Sequence, residues 1–575
     1  VVIDQDDDSV RVDPVTGTIE SDQPDGGVIV QLDAHRPKSD ADKQDFYRDL
    51  SDEIDREKLS HLAGNLCDAI EADIRSRAQY IEIRKRGLDI LGIEIKQPRA
   101  TAADSGQVTE GVSTVSNPLL LDACLKSWAN AVGEFLPAEG PVKVVAEGGE
   151  PADLDEQLAE SLENALNFYL TSRAAEYYSD TSHMLLWGAI FGGSGFKKIY
   201  RCPMRRRPVS ESIDPDDLIV SNAKKDLRSC ERITHQSEIR PSIMRRMELI
   251  GAYRTTALSQ PSQLQPDAVD QAIANIQGTE ATPVRPEDQP YTIWETQCEL
   301  DLPQFAPGKF KGEGIPLPYL VTVEKDSREI KSIRRDWDED DEDCNRRKLY
   351  VKFPWIPGPG FYGTGLLHVL GNASAAMTGC WRIALDTGMY ANFPSGLIAK
   401  LGSRQNTSDI KLSPGVLQPV ETSGQDIRAV VAPLPYKDIT PGLLQLMQQI
   451  TEQSQQSGGM ADMPSGEGLQ NVPVGTLLAQ IEQSTKVLAA AHKGLHAAQA
   501  EEISLLVNLF RENPEDLTNG EDSWTAEKLE LALQRCTLKP ASDPNVPSHM
   551  HRVAKATALV QLTTNPALNA HLDPQ

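Results

Sequence analysis

The sequence predicts an α+β protein that is mainly helical, and three observations carry that prediction. Within 357–513 a helix, a short β segment, a second helix, a Gly/Pro loop and a very long helix follow one another. From Thr476 the apolar residues Leu478, Ile481, Leu488, Leu495, Ala498, Leu506 and Leu509 recur at three-, four- and seven-residue steps, the period of one buried helical face. Short β runs (TIWETQCEL, YLVTVEK, KLYVKF) gather between 291 and 353.

Length and composition bound the function. The chain has 575 residues, 39% of them hydrophobic, enough for several domains with sizeable cores. Acidic residues outnumber basic ones by 84 to 57, a formal charge of −27, which argues against a protein that holds nucleic acid by neutralising phosphates. The eight cysteines contain no C-x-x-C pair, so reduced thiols and a cytosolic setting are expected and no metal ribbon is indicated. Residues 1–40 are Asp-rich and do not resemble a secretory signal. The longest run without charge, 353–381, carries three Pro and six Gly, a poor spanning segment better explained by burial against protein.

Taken in order, Leu59, Leu62, Leu66, Ile70, Ile74 and Ile81 predict one amphipathic helix over 53–93, followed by a polar loop to 116. Helices are predicted over 118–135 and 153–187. Gly192 to Gly195 then open a hairpin carrying Lys197, Lys198, Arg201, Arg205, Arg206 and Arg207. These cations suit phosphate contacts less well than solvent or the acidic excess of the chain. A helix over 241–253 precedes a Gln/Pro-rich stretch to 290 that reads as a flexible insertion.

Three patterns suggest chemistry and are weighed against plainer readings. The acidic run Asp336 to Asp343 invites a metal-dependent nuclease, since carboxylates hold Mg²⁺, but it lacks the calcium-loop spacing, consecutive acids cannot all face one ion, and a solvated hairpin tip explains it better. Gly358, Gly360 and Gly363 match G-x-G-x-x-G, yet Pro357 and Pro359 remove the donors a pyrophosphate needs, leaving a tight turn that feeds a helix. His492 and His496 stand four apart, but Lys493 occupies the general-base position, so a polar stripe on a packed helix is expected. No phosphate-binding G-x-x-x-x-G-K-[ST] loop is present. No catalytic residue, metal or cofactor is assigned.

The helix from Thr364 to about Asn392 places Gly371, Ala375, Ala376 and Gly379 near one stripe, which admits either close packing between copies or packing within one subunit. Residues 395–436 alternate as short strands and carry Lys400, Arg404 and Lys411. Thr440-Pro441 starts the next helix, with Leu443, Leu444, Met447 and Ile450 on its apolar face and Gln445, Gln448, Gln449, Gln453 and Gln456 on the other. Residues 458–475 are too rich in Gly and Pro for regular structure. Thr476 can cap the long helix and Asn513-Pro514 ends it.

Five ordered stretches carry a family likeness: NPLLLDACLKSWANAVGEFLPAEGPVK, GSGFKKIYRCPMRRRPVSESIDPDDLIVS, RITHQSEIRPSIMRRMELIGAYR, IPGPGFYGTGLLHVLGNASAAMTGCWRIALDTGMYANFPSGL and NVPVGTLLAQIEQSTKVLAAAHKGLHAAQAEE. Across most of its length the chain resembles the portal proteins of tailed double-stranded DNA bacteriophages, especially the large portals of short-tailed phages. The resemblance implies a closed ring of about twelve subunits at one capsid vertex of the virion, assembled in the host cytoplasm. It implies that DNA passes through the ring during packaging and ejection, driven in by terminase. It also implies head-to-tail adaptor, major capsid and scaffolding proteins as partners.

The family architecture of wing, stem, clip and crown maps onto the sequence as an acidic arm and wing helix (1–116), an α+β wing (117–360), a stem helix (361–392), a β-containing clip (393–437) and a second stem helix (438–457). A tunnel loop (458–475), a long connecting helix (476–513) and a helical crown (514–575) follow. The implied site residues are Met460, Asp462, Met463, Ser465, Glu467, Gln470 and Asn471 in the tunnel loop, Gln445, Gln448, Gln449 and Gln453 on the stem, Lys400, Arg404 and Lys411 in the clip, and Gly371, Ala375 and Gly379 between subunits. A conduit that gripped phosphate along its length would stall DNA, so a net-acidic ring with an amide-rich lining suits passage. The loop, with Asp462 and Glu467 its only charges, is expected to guide DNA by steric contact.

Overall fold

The computed structural model describes residues 46–93, 113–147, 152–256, 266–279, 281, 289–311, 313–392, 439–457, 490–518 and 523–542. It also describes the backbone of the strands Ser21–Asp22, Val28–Ile29, Gly396–Lys400, Leu417–Glu421 and Val431–Pro433, and of the helix Val474–Glu512 throughout.

The helix expected over 53–93 is two helices, α1 (Arg56–Ser76) and α2 (Ala78–Ile90). The break falls at Arg77, whose buried guanidinium donates to the carbonyls of Pro215, Leu218 and Asp216 at 3.0, 3.1 and 2.5 Å. A cation taken from water must be hydrogen-bonded, and the position that reaches this ledge of carbonyls is not the one that continues the helix. After α3 (Leu119–Phe135) and β1 (Val142–Ala146), the helix expected over 153–187 is likewise interrupted. It consists of α4 (Ala152–Phe168), a wide π turn (Tyr169–Arg173), α5 (Glu176–His183) and a second wide turn (Met184–Phe191). The first turn delivers the Tyr169 hydroxyl to the Pro208 carbonyl at 2.6 Å and its ring to the edge of Phe510. In the second, Gly188 lets another strand of backbone approach, since a Cβ there would lie 2.9 Å from the Gly195 Cα.

The hairpin β2 (Ser194–Cys202) and β3 (Arg207–Ile213) forms where the glycines predict it. Then come β4 (Leu218–Ile219), β5 (Ile233–Ile239), α6 (Pro241–Leu249) and α7 (Ala268–Gln277). Helix α7 lies inside the stretch expected to be a flexible insertion; its Asp267/Asp270 capping box fixes its start, and it packs on α2. Strands β6 (Tyr291–Leu300), β7 (Leu317–Glu324), β8 (Ile330–Arg335) and β9 (Tyr350–Pro354) complete this half. One antiparallel sheet has the order β8-β7-β6-β5-β4 and a second the order β9-β2-β3. Leu59, Ala63, Leu66 and Ile70 of α1 join one core with Trp294, Tyr319, Val321 and Ile333 of the larger sheet.

Helix α8 (Leu366–Asn392) is followed by β10 (Gly396–Lys400), β11 (Leu417–Glu421) and β12 (Val431–Pro433), the small β module expected between two helices. Its central strand β10 pairs parallel with β11 and antiparallel with β12. Then come α9 (Pro441–Ser457), α10 (Val474–Glu512), α11 (Ala526–Arg535) and β13 (Cys536–Pro540). At ~1.5 Å per residue the 39 residues of α10 span roughly 58 Å. Its C-terminal half lies across β9-β2-β3, burying Ala491, Leu495, Ala498, Ile503, Leu506, Val507 and Phe510 in the largest core.

Of the helical crown expected after 514, the described residues hold the helix α11 and, unexpectedly, the strand β13. β13 pairs antiparallel with β1, Cys536 opposite Ala146 through Pro540 opposite Val142, so the chain returns to its N-terminal half and closes the core there. The alternation of CTLKP is too short to signal a strand when its partner is some 390 residues away.

Candidate functional site

The segment most distinctive in the sequence, α8 with α9, is also where uncharged surface is left open. The inner face of α8 is settled by contacts within the chain: Leu366, Leu367, Leu370 and Met377 are buried, and a Cβ on Gly371 would meet Ile90 and Leu367 at 3.5 Å. Gly371 therefore serves packing within the subunit. Residues 113–117 run beside the helix, Asn117 N donating to Thr378 Oγ1 at 3.0 Å, Arg382 Nε to the Val115 carbonyl at 2.9 Å and Ser113 N to Asp386 Oδ1 at 2.7 Å. The outer face differs. Val369, Asn372, Ala376 and Ile383 are exposed and Gly379 has open space beside it, a charge-free stripe at alternating three- and four-residue steps. That spacing is the seam of helix-on-helix packing. Ala375 flanks it, exposed.

Helix α9 packs on α8, with Ile439, just before its start, set against Gly388. Leu443, Met447 and Ile450 are half-buried and Ser454 is buried, which defines its inner stripe. Gln445, Gln448, Gln449 and Gln453 are all exposed, Gln448 Nε2 donating to Glu452 Oε1 at 2.9 Å. Leu444, expected on the apolar face, is instead 54% exposed, and Leu446 is 46% exposed. At ~100° per residue these two leucines lie about 160° apart, one on each flank of the amide face. Each side of α9 thus carries an unpartnered leucine, which the three-to-four periodicity hid because Leu446 is out of phase with it.

The long helix is fixed to the hairpin sheet by polar groups out of reach of water. Lys197 of β2 and Glu502 of α10 are fully buried with Nζ and Oε1 2.7 Å apart. Lys197 also donates to Thr181 Oγ1 at 2.5 Å and sits 4.1 Å from the Tyr177 ring centre, while Ser210 Oγ donates to Glu502 Oε1 at 2.6 Å. Burial pushes the Lys197 ammonium below its ordinary value, and the Glu502 carboxylate opposes that shift. Further along, buried His492 shares a hydrogen bond with Glu134 at 2.5 Å, and His496 Nε2 meets the Ser542 carbonyl at 3.0 Å. The histidines form the packed polar stripe that was expected. Four of the other five hairpin cations meet the acidic excess: Lys198 pairs with Glu295 at 2.6 Å, Arg201 with Asp516, and Arg205 and Arg207 with Glu176. Lys197 and Lys198 are buried, so the strand pair is not the exposed one its charge suggested.

The acidic run divides in two. Asp338, Asp341 and Asp343 lie in a polar turn but not at the expected hairpin tip, since β8 before it and β9 after it belong to different sheets: Asp338 pairs with Arg347 at 3.2 Å, Asp341 accepts from the amides of Asp343 and Asn345, and Asp343 pairs with Lys309 at 2.7 Å. Among the described residues no group of three or more His, Cys, Asp or Glu converges as metal ligands would. Asp336 and Trp337, at the start of the run, are buried instead. Asp336 Oδ2 accepts from Gln297 Nε2 at 2.8 Å, and burial pushes its carboxyl up from 3.8 to about 7 against the pull of Arg347. The folded chain therefore retains a proton that the unfolded chain releases. The resulting stabilisation is fully present below about pH 4, declines as pH rises and is gone once pH passes about 7. In Asp336→Asn the fall in unfolding free energy between about pH 4.5 and 7.5, measured in urea, shrinks by about 1–3 kcal/mol; an unchanged pH slope contradicts this assignment.

The glycine-rich run at 358–363 is a turn. A Cβ on Gly193, at φ +95°, would lie 2.4 Å from the Gly363 carbonyl oxygen, and one on Gly365 would lie 2.3 Å from that of Phe191. These glycines let two backbones interlock, while Gly358 and Gly360 line a cleft beside α10. Met460, Asp462, Met463, Ser465, Glu467, Gln470 and Asn471, with Arg404 and Lys411, lie outside the described residues; Lys400 ends β10, where the backbone alone is described. Among the described residues no helix is long and apolar enough to cross a membrane. Compared with models of known families and with curated proteins, the chain finds no match in either.

Proposed function

We propose that the chain is one subunit of a ring-shaped portal at a capsid vertex, a passage for double-stranded DNA and a platform for terminase and head-to-tail adaptors. In this reading the fold around β9-β2-β3 and the five-stranded sheet is the wing, α8 and α9 the stem, the β10–β12 module the clip and α10 the connecting helix. Residues 458–475 are the tunnel loop and the chain after α10 leads to the crown. Major capsid and scaffolding proteins surround the ring.

The observation that carries the proposal is the surface of α8 and α9. In a ring built head to tail, each subunit presents one flank to each neighbour, so both flanks of a stem must tolerate burial. The seam Val369, Asn372, Ala376, Gly379, Ile383 and the opposed Leu444 and Leu446 meet that requirement. The amide face between the leucines is hydrated and carries no cation, which suits a wall past which polyanionic DNA must slide.

Electron microscopy of the purified chain in negative stain, with mass determination, tests the proposal. The expected result is a ring of about a dozen copies with a central hole. A chain that stays monomeric across a wide concentration range, even with scaffolding protein present, counts against it.

A further inference from the structure

We infer that the basic cleft beside α10 is the docking site for an acidic segment of the chain itself, residues 4–8. The cleft has a volume of about 600 Å³ and lies between the loop after β4, the approach to β9 and the turn before α8. Its walls carry Lys225, Arg228, Arg346, Arg347, Lys348 and Lys352 against the two carboxylates Asp226 and Glu501. On a chain of net charge −27 this is a local reversal of sign.

Arg347 is already paired, with Asp338 at 3.2 Å and Glu512 at 3.7 Å, but the carboxylates at hand do not neutralise the other cations. Glu501 is shared between Lys348 at 3.2 Å and Arg228 at 3.8 Å. Arg346 spends its donors on the carbonyls of Cys230 and Leu227, at 2.8 and 2.7 Å, and Lys352 reaches those of Lys225 and Phe361. Among the described residues neither of these, nor exposed Lys225, meets a carboxylate in an ion pair. Tyr350 forms part of the wall, and its buried hydroxyl has no hydrogen-bond partner among the described residues. The cleft is therefore short of acceptors and of negative charge.

Asp4, Asp6, Asp7 and Asp8 offer four carboxylates within five residues. The chain leading from them enters the described fold at Phe46 and Tyr47, and the Tyr47 ring lies 5.1 Å from the guanidinium of Arg347, in the cleft wall. At ~3.3 Å per residue the intervening chain is long enough to place residues 4–8 anywhere along the cleft. A short acidic peptide fits this site better than a nucleic acid does. A long polyanion would feel the repulsion of the whole acidic surface, whereas a tethered segment of four carboxylates brings matching charge at high local concentration.

The test is zero-length carbodiimide coupling of the full chain at low protein concentration, read by mass spectrometry. Lys309 and Asp343, an exposed pair at 2.7 Å, give the internal standard. The expected result is coupling of Lys225 and Lys348 to residues 4–8, weakened at least fivefold by high salt relative to that standard. In the variant D4N/D6N/D7N/D8N the coupling is lost and acetylation of Lys225 rises several-fold. Coupling of the standard with none between the cleft lysines and residues 4–8 overturns the inference. So does protection of Lys225 and Lys348 by a 20-base-pair DNA duplex together with equal acetylation of variant and unmodified chain, which assigns the cleft to nucleic acid. The coupling is expected in monomer and ring alike, so its failure is read separately from failure of the portal proposal.

Discussion

Glu502→Ala destabilises the chain by about 3–5 kcal/mol, the largest effect expected of any single substitution at the sheet–helix junction. The alanine removes the only carboxylate facing Lys197 among the described ion pairs and leaves an ammonium with no exposed surface. It also takes away the acceptor of the Ser210 hydroxyl. Thr181 and the face of Tyr177 remain beside the ammonium without compensating charge, and the Asp180 carboxylate acts on it without forming an ion pair among those described. Lys197→Met has the mirror effect, stranding a carboxylate whose Oε2 is already without a hydrogen bond. The double variant K197M/E502L is less destabilised than the sum of the two single changes, because a buried ion pair replaced whole by apolar groups loses little once its desolvation cost is gone. Urea unfolding of the four proteins closes the cycle. Additive effects, or single variants within about 0.5 kcal/mol of the unmodified chain, show that the pair does not hold α10 to the sheet.

If the chain forms the proposed ring, Ile383→Asp combined with Leu446→Glu abolishes its assembly while leaving the subunit folded. Both side chains are about half exposed in the isolated chain, so charging them costs its stability little. In a ring each would be buried against a neighbour, where an apolar side chain contributes about 1.5–3 kcal/mol and an unpaired carboxylate opposes association. The loss is repeated at every subunit contact, so the closed assembly disappears instead of weakening gradually. Sedimentation and electron microscopy read the outcome, with circular dichroism reporting the fold and Gln449→Glu, on the amide face, as a control that still assembles. Rings formed normally by the double variant would remove α8 and α9 from the subunit interface.

Elements governed by local pattern were legible in the sequence. The α8, α9 and α10 helices, the β module between the first two and the hairpin after Gly192 appear where periodicity, caps and turn residues put them. Those signals live within one or two turns of chain. Most of the errors trace to a partner elsewhere in the chain, although α7 was missed despite the local signal of its Asp267/Asp270 capping box. Arg77 breaks a helix to reach carbonyls at 215–218, and the π turns at 169–173 and 184–191 bring Tyr169 to Pro208 and Gly188 to Gly195. β13 exists because β1 offers an edge.

The candidate surfaces divide in the same way. The sequence alone determined that α9 has an amide face and α8 a small-residue stripe, because side-chain direction on a helix follows from residue spacing. Only the tertiary structure decided that Gly371 is used within the subunit, that Leu444 and Leu446 are left open on opposite flanks, and that Lys197 lies in the interior against Glu502. Spacing tells which residues share a face, whereas burial depends on what the rest of the chain brings to that face, and for these residues the deciding neighbours come from distant segments.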